Sequence, residues 1–173
     1  NRLFLAGHSA GAYNAVMLSL DSTFLAEFGV TMPILGVAAL SGPYDFYPFE
    51  YFEVQEAFGF APNPEGTQPV NLISDNAPPM YLATGTSDPI VRMQNTERFA
   101  EQLRARGVWV TTQYYDGFGH MEPVIAMGQL WRWRMPVLDD MVGFFQRFGA
   151  FPSGAYVAVA PDEPEMLPDS IAP

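Results

Sequence analysis

Gly7-His8-Ser9-Ala10-Gly11 is a G-x-S-x-G pentad lying between a short apolar run and a stretch of good helix formers. A serine so placed is a candidate nucleophile, but its hydroxyl is inert near neutral pH unless a base accepts its proton. With only two histidines in the chain, the candidate bases are few. His8 sits inside the pentad with its side chain turned away from that of Ser9, which suits a structural or pocket-wall role. His120 ends the loop Asp116-Gly117-Phe118-Gly119-His120 and is the expected base. A histidine base in turn needs a carboxylate to fix its tautomer and stabilise its charged form. Asp88, in Gly85-Thr86-Ser87-Asp88-Pro89, is the first choice, and Asp45, in Ser41-Gly42-Pro43-Tyr44-Asp45, the second. Asp116 is too close to His120 to reach round its ring and is expected to shape the loop.

The pentad alone also fits an ordinary strand-to-helix turn, so the elements around it carry the argument. A nucleophile elbow needs a strand, a turn so tight that the flanking positions take only small side chains, and then a helix. Arg2 to Ala6, ended by Gly7, reads as the strand, and Gly11 to Leu20, closed by Asp21-Ser22, as the helix. This geometry aims the N–H of Ala10 and the positive helix end at the reaction centre, making Ala10 the expected oxyanion donor. Further strands are expected at Ile34 to Leu40, Pro79 to Thr84 and Val108 to Tyr115. Asn95 to Arg106 is an amphipathic helix with Phe99 and Leu103 inward, capped by Gly107. A last helix, Pro136 to Phe148, faces the core with Val137, Met141, Phe144, Phe145 and Phe148.

Strands alternating with helices point to an α/β fold with a mostly parallel sheet flanked by helices, its strand runs apolar on both faces. Ligands of such sheets bind beyond the carboxyl ends of the strands, where the Ser9, Asp88 and His120 loops all fall. Ser9, Asp88 and His120 follow one another in the Ser…Asp…His order of α/β-hydrolases.

Composition removes other classes. The net charge is -11, from 19 acids against 8 bases, all of them arginine, which is a poor match to nucleic acid or to an anionic membrane surface. No apolar run approaches the ~20 residues that span a bilayer. Without cysteine there are no disulfides, thiol catalysis or Cys-based metal sites, and the compartment stays open. Two histidines and no cysteine give no basis for metal catalysis, and no cofactor is expected.

Residues 44–60 are dense in aromatics and are expected either to line an acyl or aromatic pocket or to pack a small helical subdomain. His8, Tyr44 and Asp45 are the candidate pocket residues. Trp131-Arg132-Trp133-Arg134 reads as surface packing, with a carboxylate-binding role as the alternative. Asp139-Asp140 and Asp162-Glu163 are expected to be solvated, and residues 151–173 to form an acidic, Pro-rich, disordered tail.

"AGHSAGA", "TGTSDPIV" and "GFGH" resemble the α/β-hydrolase superfamily, within it the carboxylesterase-like branch. The pentad is more similar to the kynurenine-formamidase and feruloyl/acetyl-xylan-esterase-like groups than to the hormone-sensitive-lipase group. The latter carries an aspartate before the nucleophile and two glycines after the alanine, where this chain has His8, Gly11 and Ala12. Over residues 2–148 the resemblance implies Ser9 as nucleophile, Asp88 as acid, His120 as base and Ala10 N–H as an oxyanion donor. It implies a serine hydrolase of the carboxylesterase type acting on a small-molecule ester. An amide or formamide hydrolase and a non-catalytic binding module are the alternatives.

The front of the chain departs from that pattern, since the superfamily's elbow strand is central and follows several others. Leu3 to Ala6 is apolar on both faces, and such a strand at a sheet edge is an aggregation hazard. The expectation is therefore that residues 1–150 are the C-terminal part of an α/β-hydrolase domain, with a second oxyanion donor upstream. Residues 1–173 alone are expected to be unstable or inactive.

Overall fold

The computed structural model describes residues 3–149. Within them one parallel sheet runs in the order β1 (Leu3–His8), β2 (Ile34–Leu40), β3 (Met80–Gly85), β4 (Val110–Tyr115). The helices are α1 (Ala10–Leu20), α2 (Thr23–Ala26), α3 (Phe52–Phe58), α4 (Gln94–Ala105), α5 (Glu122–Ile125) and α6 (Val137–Gly149).

Side chains alternate across a strand, and the two central strands use both faces. Val37 and Ala39 of β2, with Met80 and Leu82 of β3, meet Ala12, Ala15 and Val16 of α1 and Phe99, Ala100 and Leu103 of α4. Ala38 and Leu40, with Tyr81 and Ala83, meet Val137, Met141 and Phe144 of α6. Each such buried Leu or Phe contributes roughly 1.5–3 kcal/mol. Gly36 gives α6 its seat, because a Cβ there would lie 2.8 Å from the Phe144 ring.

The expected α/β architecture is present, with differences at the edges. β1 does not stop at Gly7 but pairs with β2 through His8. As edge strands, β1 has no buried residue and β4 only Tyr115, so cover on both faces holds for β2 and β3 alone. β4 begins at Val110 because the Val108 N–H turns back to Leu103 O at 3.0 Å, with Gly107 at φ 76°. Phe145 and Phe148 are half-buried.

Asp140 is not the solvated acid the sequence suggests. It accepts a hydrogen bond from Tyr115 at 2.8 Å, and Tyr115 in turn accepts one from Tyr81 at 2.8 Å. Burial raises the carboxyl of Asp140 above its usual range, against the opposing pull of those hydroxyls. Asp162-Glu163 and the tail expected at 151–173 lie outside the described residues. Among the described residues no helix is long and apolar enough to cross a membrane.

Candidate active site

Three loops at the carboxyl ends of β1, β3 and β4 converge on one point. The first is the β1–α1 turn. The Ser9 N–H donates to Leu40 O at 2.9 Å, the last rung of the β1–β2 ladder, and the backbone then reverses at Ser9 with φ 56° and ψ -123°. A non-glycine residue held there stores of order 1–3 kcal/mol of strain. The Ser9 carbonyl accepts from Ala12 and Tyr13 and so starts α1. Ala10 is the first helical residue, so its N–H has no acceptor within the helix, and no acid occupies the first turn. The two flanking glycines are not equivalent. A Cβ on Gly7 would lie 2.2 Å from Gly11 O, whereas one on Gly11 meets nothing within 4 Å. The small-residue requirement therefore falls on Gly7.

His120 links the other two loops to Ser9. Its Nδ1 lies 2.7 Å from Asp88 Oδ2 and its Nε2 lies 2.9 Å from Ser9 Oγ. A carboxylate only accepts, so Nδ1 carries the ring proton of neutral His120 and Nε2 offers its lone pair to the serine hydroxyl. Asp88 is buried, its side chain wholly so, and His120 is buried as well. The other oxygen of Asp88 accepts from the Ile90 and Val91 N–H groups, both at 2.9 Å, so Ile90-Val91 orient the carboxylate.

The acid and histidine loops are zipped to each other. Thr86 N–H donates to Tyr115 O at 3.0 Å and Ser87 N–H to Phe118 O at 2.9 Å. The Thr86 hydroxyl accepts from Gly117 N–H at 2.8 Å and donates to Asp116 at 3.2 Å, which gives Asp116 its expected loop-shaping place. Gly85 permits this approach, since a Cβ there would lie 2.1 Å from Phe118 O. In the sequence, Thr86 carries no signal beyond that of a hydroxyl residue in a turn.

Asp45, the second choice of acid, does not reach His120. It pairs instead with Arg98 at 3.6 Å, a partly exposed contact. Its N–H and that of Tyr44 both donate to Asn95 Oδ1 at 3.0 Å, and Phe46 N–H donates to buried Gln68. Tyr44 is no pocket wall either. It has no accessible surface and stacks on Phe99 in the core, with centroids 4.5 Å apart. His8 contacts the histidine loop, its Nε2 lying 2.8 Å from the His120 carbonyl.

The aromatic stretch folds into a ring cluster beside the elbow. Phe46, Phe49 and Phe58 pack on one another, and Tyr13 of α1 meets Phe46 at 5.7 Å and Phe58 at 5.5 Å. Tyr47, Tyr51, Phe52 and Phe60 remain exposed. Arg134 lies over Phe118 and Trp131, so this arginine packs on aromatic faces as expected.

Relatives share this arrangement of elements. The chain is 29% identical over 125 residues to a kynurenine formamidase of Salmo salar, covering 68% of this chain and 42% of that protein. It superposes on an acetyl ester-xyloside bifunctional hydrolase from Caldicellulosiruptor lactoaceticus with a TM-score of 0.65 at 16% identity, over 85% of this chain and 57% of the other. A thermophilic esterase from Thermogutta terrifontis gives 0.66 at 17% identity, over 84% and 56% respectively. The chain thus spans less than half the length of the formamidase it matches. These likenesses bear out the α/β-hydrolase fold and the resemblance to formamidases and esterases. The family model that matches, over residues 1–148, is that of the prolyl oligopeptidases, and the chain belongs to this family of hydrolases.

Proposed function

We propose that this chain carries the catalytic residues of a serine hydrolase that cleaves a small-molecule carboxylic ester through an acyl-enzyme. The observation that carries the reading is the unbroken line Ser9 Oγ–His120 Nε2 and His120 Nδ1–Asp88, at 2.9 Å and 2.7 Å. Ser9 attacks the carbonyl carbon as its proton passes to His120 Nε2, and Asp88 stabilises the imidazolium so formed. The oxyanion faces Ala10 N–H at the positive end of α1, a type of contact that contributes about 3 kcal/mol. His120 then returns the proton to the leaving alcohol. A water, deprotonated by the same Nε2, attacks the acyl group and frees Ser9.

A second reading, hydrolysis of an amide or formamide by the same steps, is favoured by the 29% identity to a formamidase. The ester reading is tested by treating the full-length protein with a fluorophosphonate and mapping the adduct by mass spectrometry. An adduct on Ser9 that is lost in His120→Ala is the expected result. No adduct in a folded protein would overturn the reading in favour of a binding module. Turnover of matched ester and N-formyl substrates separates the two hydrolytic readings.

A further inference from the structure

In parallel order β1 and β4 are three strand spacings apart, about 14 Å. No histidine side chain spans that distance, so the loop after β4 must carry its backbone back over β3 and β2 to bring His120 to Ser9. The β3 side of that crossing is tied by Thr86 and Ser87. At the far end, a single side chain from β1 reaches the loop backbone at His120 itself. His8 Nε2 lies 2.8 Å from the His120 carbonyl oxygen, across 112 residues of chain. A carbonyl only accepts, so His8 carries a proton on Nε2 and donates it. The two rings lie 4.8 Å apart at 49°, so His8 also forms a wall against which the His120 imidazole rests.

We propose that His8 is a positioning residue for His120: its Nε2–H fixes the His120 backbone, and hence the height of the imidazole over Ser9. The inference rests on the serine-hydrolase reading. His8 acts through His120, whose carbonyl it bonds and whose ring it packs against. Its position is set by the elbow, since β1 pairs with β2 up to His8↔Leu40 and Ser9 is the next residue. The strand that delivers the nucleophile therefore also sets where its base stands. The aim of the Nε2 lone pair depends on a donor of the right length at this position.

The test uses the full-length protein, comparing wild type, His8→Gln, which keeps a donor, and His8→Met, of similar length with none. The readouts are kcat and KM on an activated ester, the rate of fluorophosphonate labelling at Ser9, and the low-field proton resonance of His120 Nδ1–H. His8→Met is expected to lower kcat and the labelling rate at least tenfold with KM within twofold, and to broaden the low-field resonance. His8→Gln is expected to recover all three to within about threefold. A folded His8→Met that labels as fast as wild type overturns the proposal. So does a folded His8→Gln as impaired as His8→Met. If His8→Met does not fold while His8→Gln does, the bond is a folding requirement and positioning falls. Wild type that takes no label at Ser9 sinks the serine-hydrolase reading instead, which keeps the two failures apart.

Discussion

A Cβ on Gly7 would stand 2.2 Å from the carbonyl oxygen of Gly11 and 2.6 Å from the nitrogen of Ala12. No rotamer relieves a clash between a Cβ and backbone, so the strand and helix must part if Gly7 gains a side chain. Gly7→Ala is expected to cost roughly 3 kcal/mol by overpacking. Gly11→Ala enters open space on a helix and should gain up to about 1 kcal/mol. Thermal melts of the two full-length variants check the pair, and equal shifts would contradict this account of the elbow.

Ser9→Ala and His120→Ala should each lower kcat by roughly 10⁴-fold or more. Asp88→Asn leaves the packing intact but reverses the favoured His120 tautomer, and should cost about 10⁴-fold. Asp45→Asn removes a partly exposed ion pair worth under about 1 kcal/mol and should leave activity within a few-fold of wild type. Steady-state kinetics on one ester decide it. Comparable losses in the two Asp variants would remove Asp88 from its role.

Thr86→Val deletes the hydroxyl that joins Gly117 N–H to Asp116. Unmaking these bonds should lower stability by about 1 kcal/mol each. Because they hold the histidine loop against the acid loop, kcat should fall as well, while Thr86→Ser retains both. Rescue by serine in kcat and in melting temperature is the check.

Asp140 gives a prediction in pH. Its carboxyl sits above its usual value of about 4, chiefly through burial, so the folded state holds this proton more tightly than the unfolded chain. The linked stability is full below the unfolded value and is lost as pH rises through the folded one. Asp140→Asn does not titrate, so its stability relative to wild type should rise from about pH 4 upward. Melting temperature against pH measures the difference, variant minus wild type, and a difference that falls with rising pH contradicts the assignment.

The groups that meet at the site were legible because each ends a strand run with a turn-forming loop, as "TGTSDPIV" and "GFGH" do. What periodicity does not encode is which polar side chain turns back on the fold. Asp140 stands in an acid pair on a helix, like any solvated pair, yet Tyr81 and Tyr115 emerge beneath it from strands distant in sequence. Tyr44 opens an aromatic run, but its N–H donates to Asn95, that of Phe46 donates to Gln68, and the Tyr44 ring stacks on Phe99. Asp45 and Asp88 each follow a central strand, but the N–H groups of Ile90 and Val91 and the His120 ring meet Asp88, while Asp45 pairs with Arg98. Apart from those local donors to Asp88, these outcomes depend on partners distant in sequence that no local pattern announces.

β2 is the one strand of the four that sends no member of the Ser9–His120–Asp88 line over the sheet, and the aromatic segment hangs from its end. Residues 44–60 are held by Asn95 and Gln68 and by the packing of Phe46 and Phe58 on Tyr13 of α1. A change at the segment's exposed rings, Tyr47, Tyr51, Phe52 or Phe60, alters the surface beside the elbow while the Ser9–His120–Asp88 hydrogen bonds keep their places.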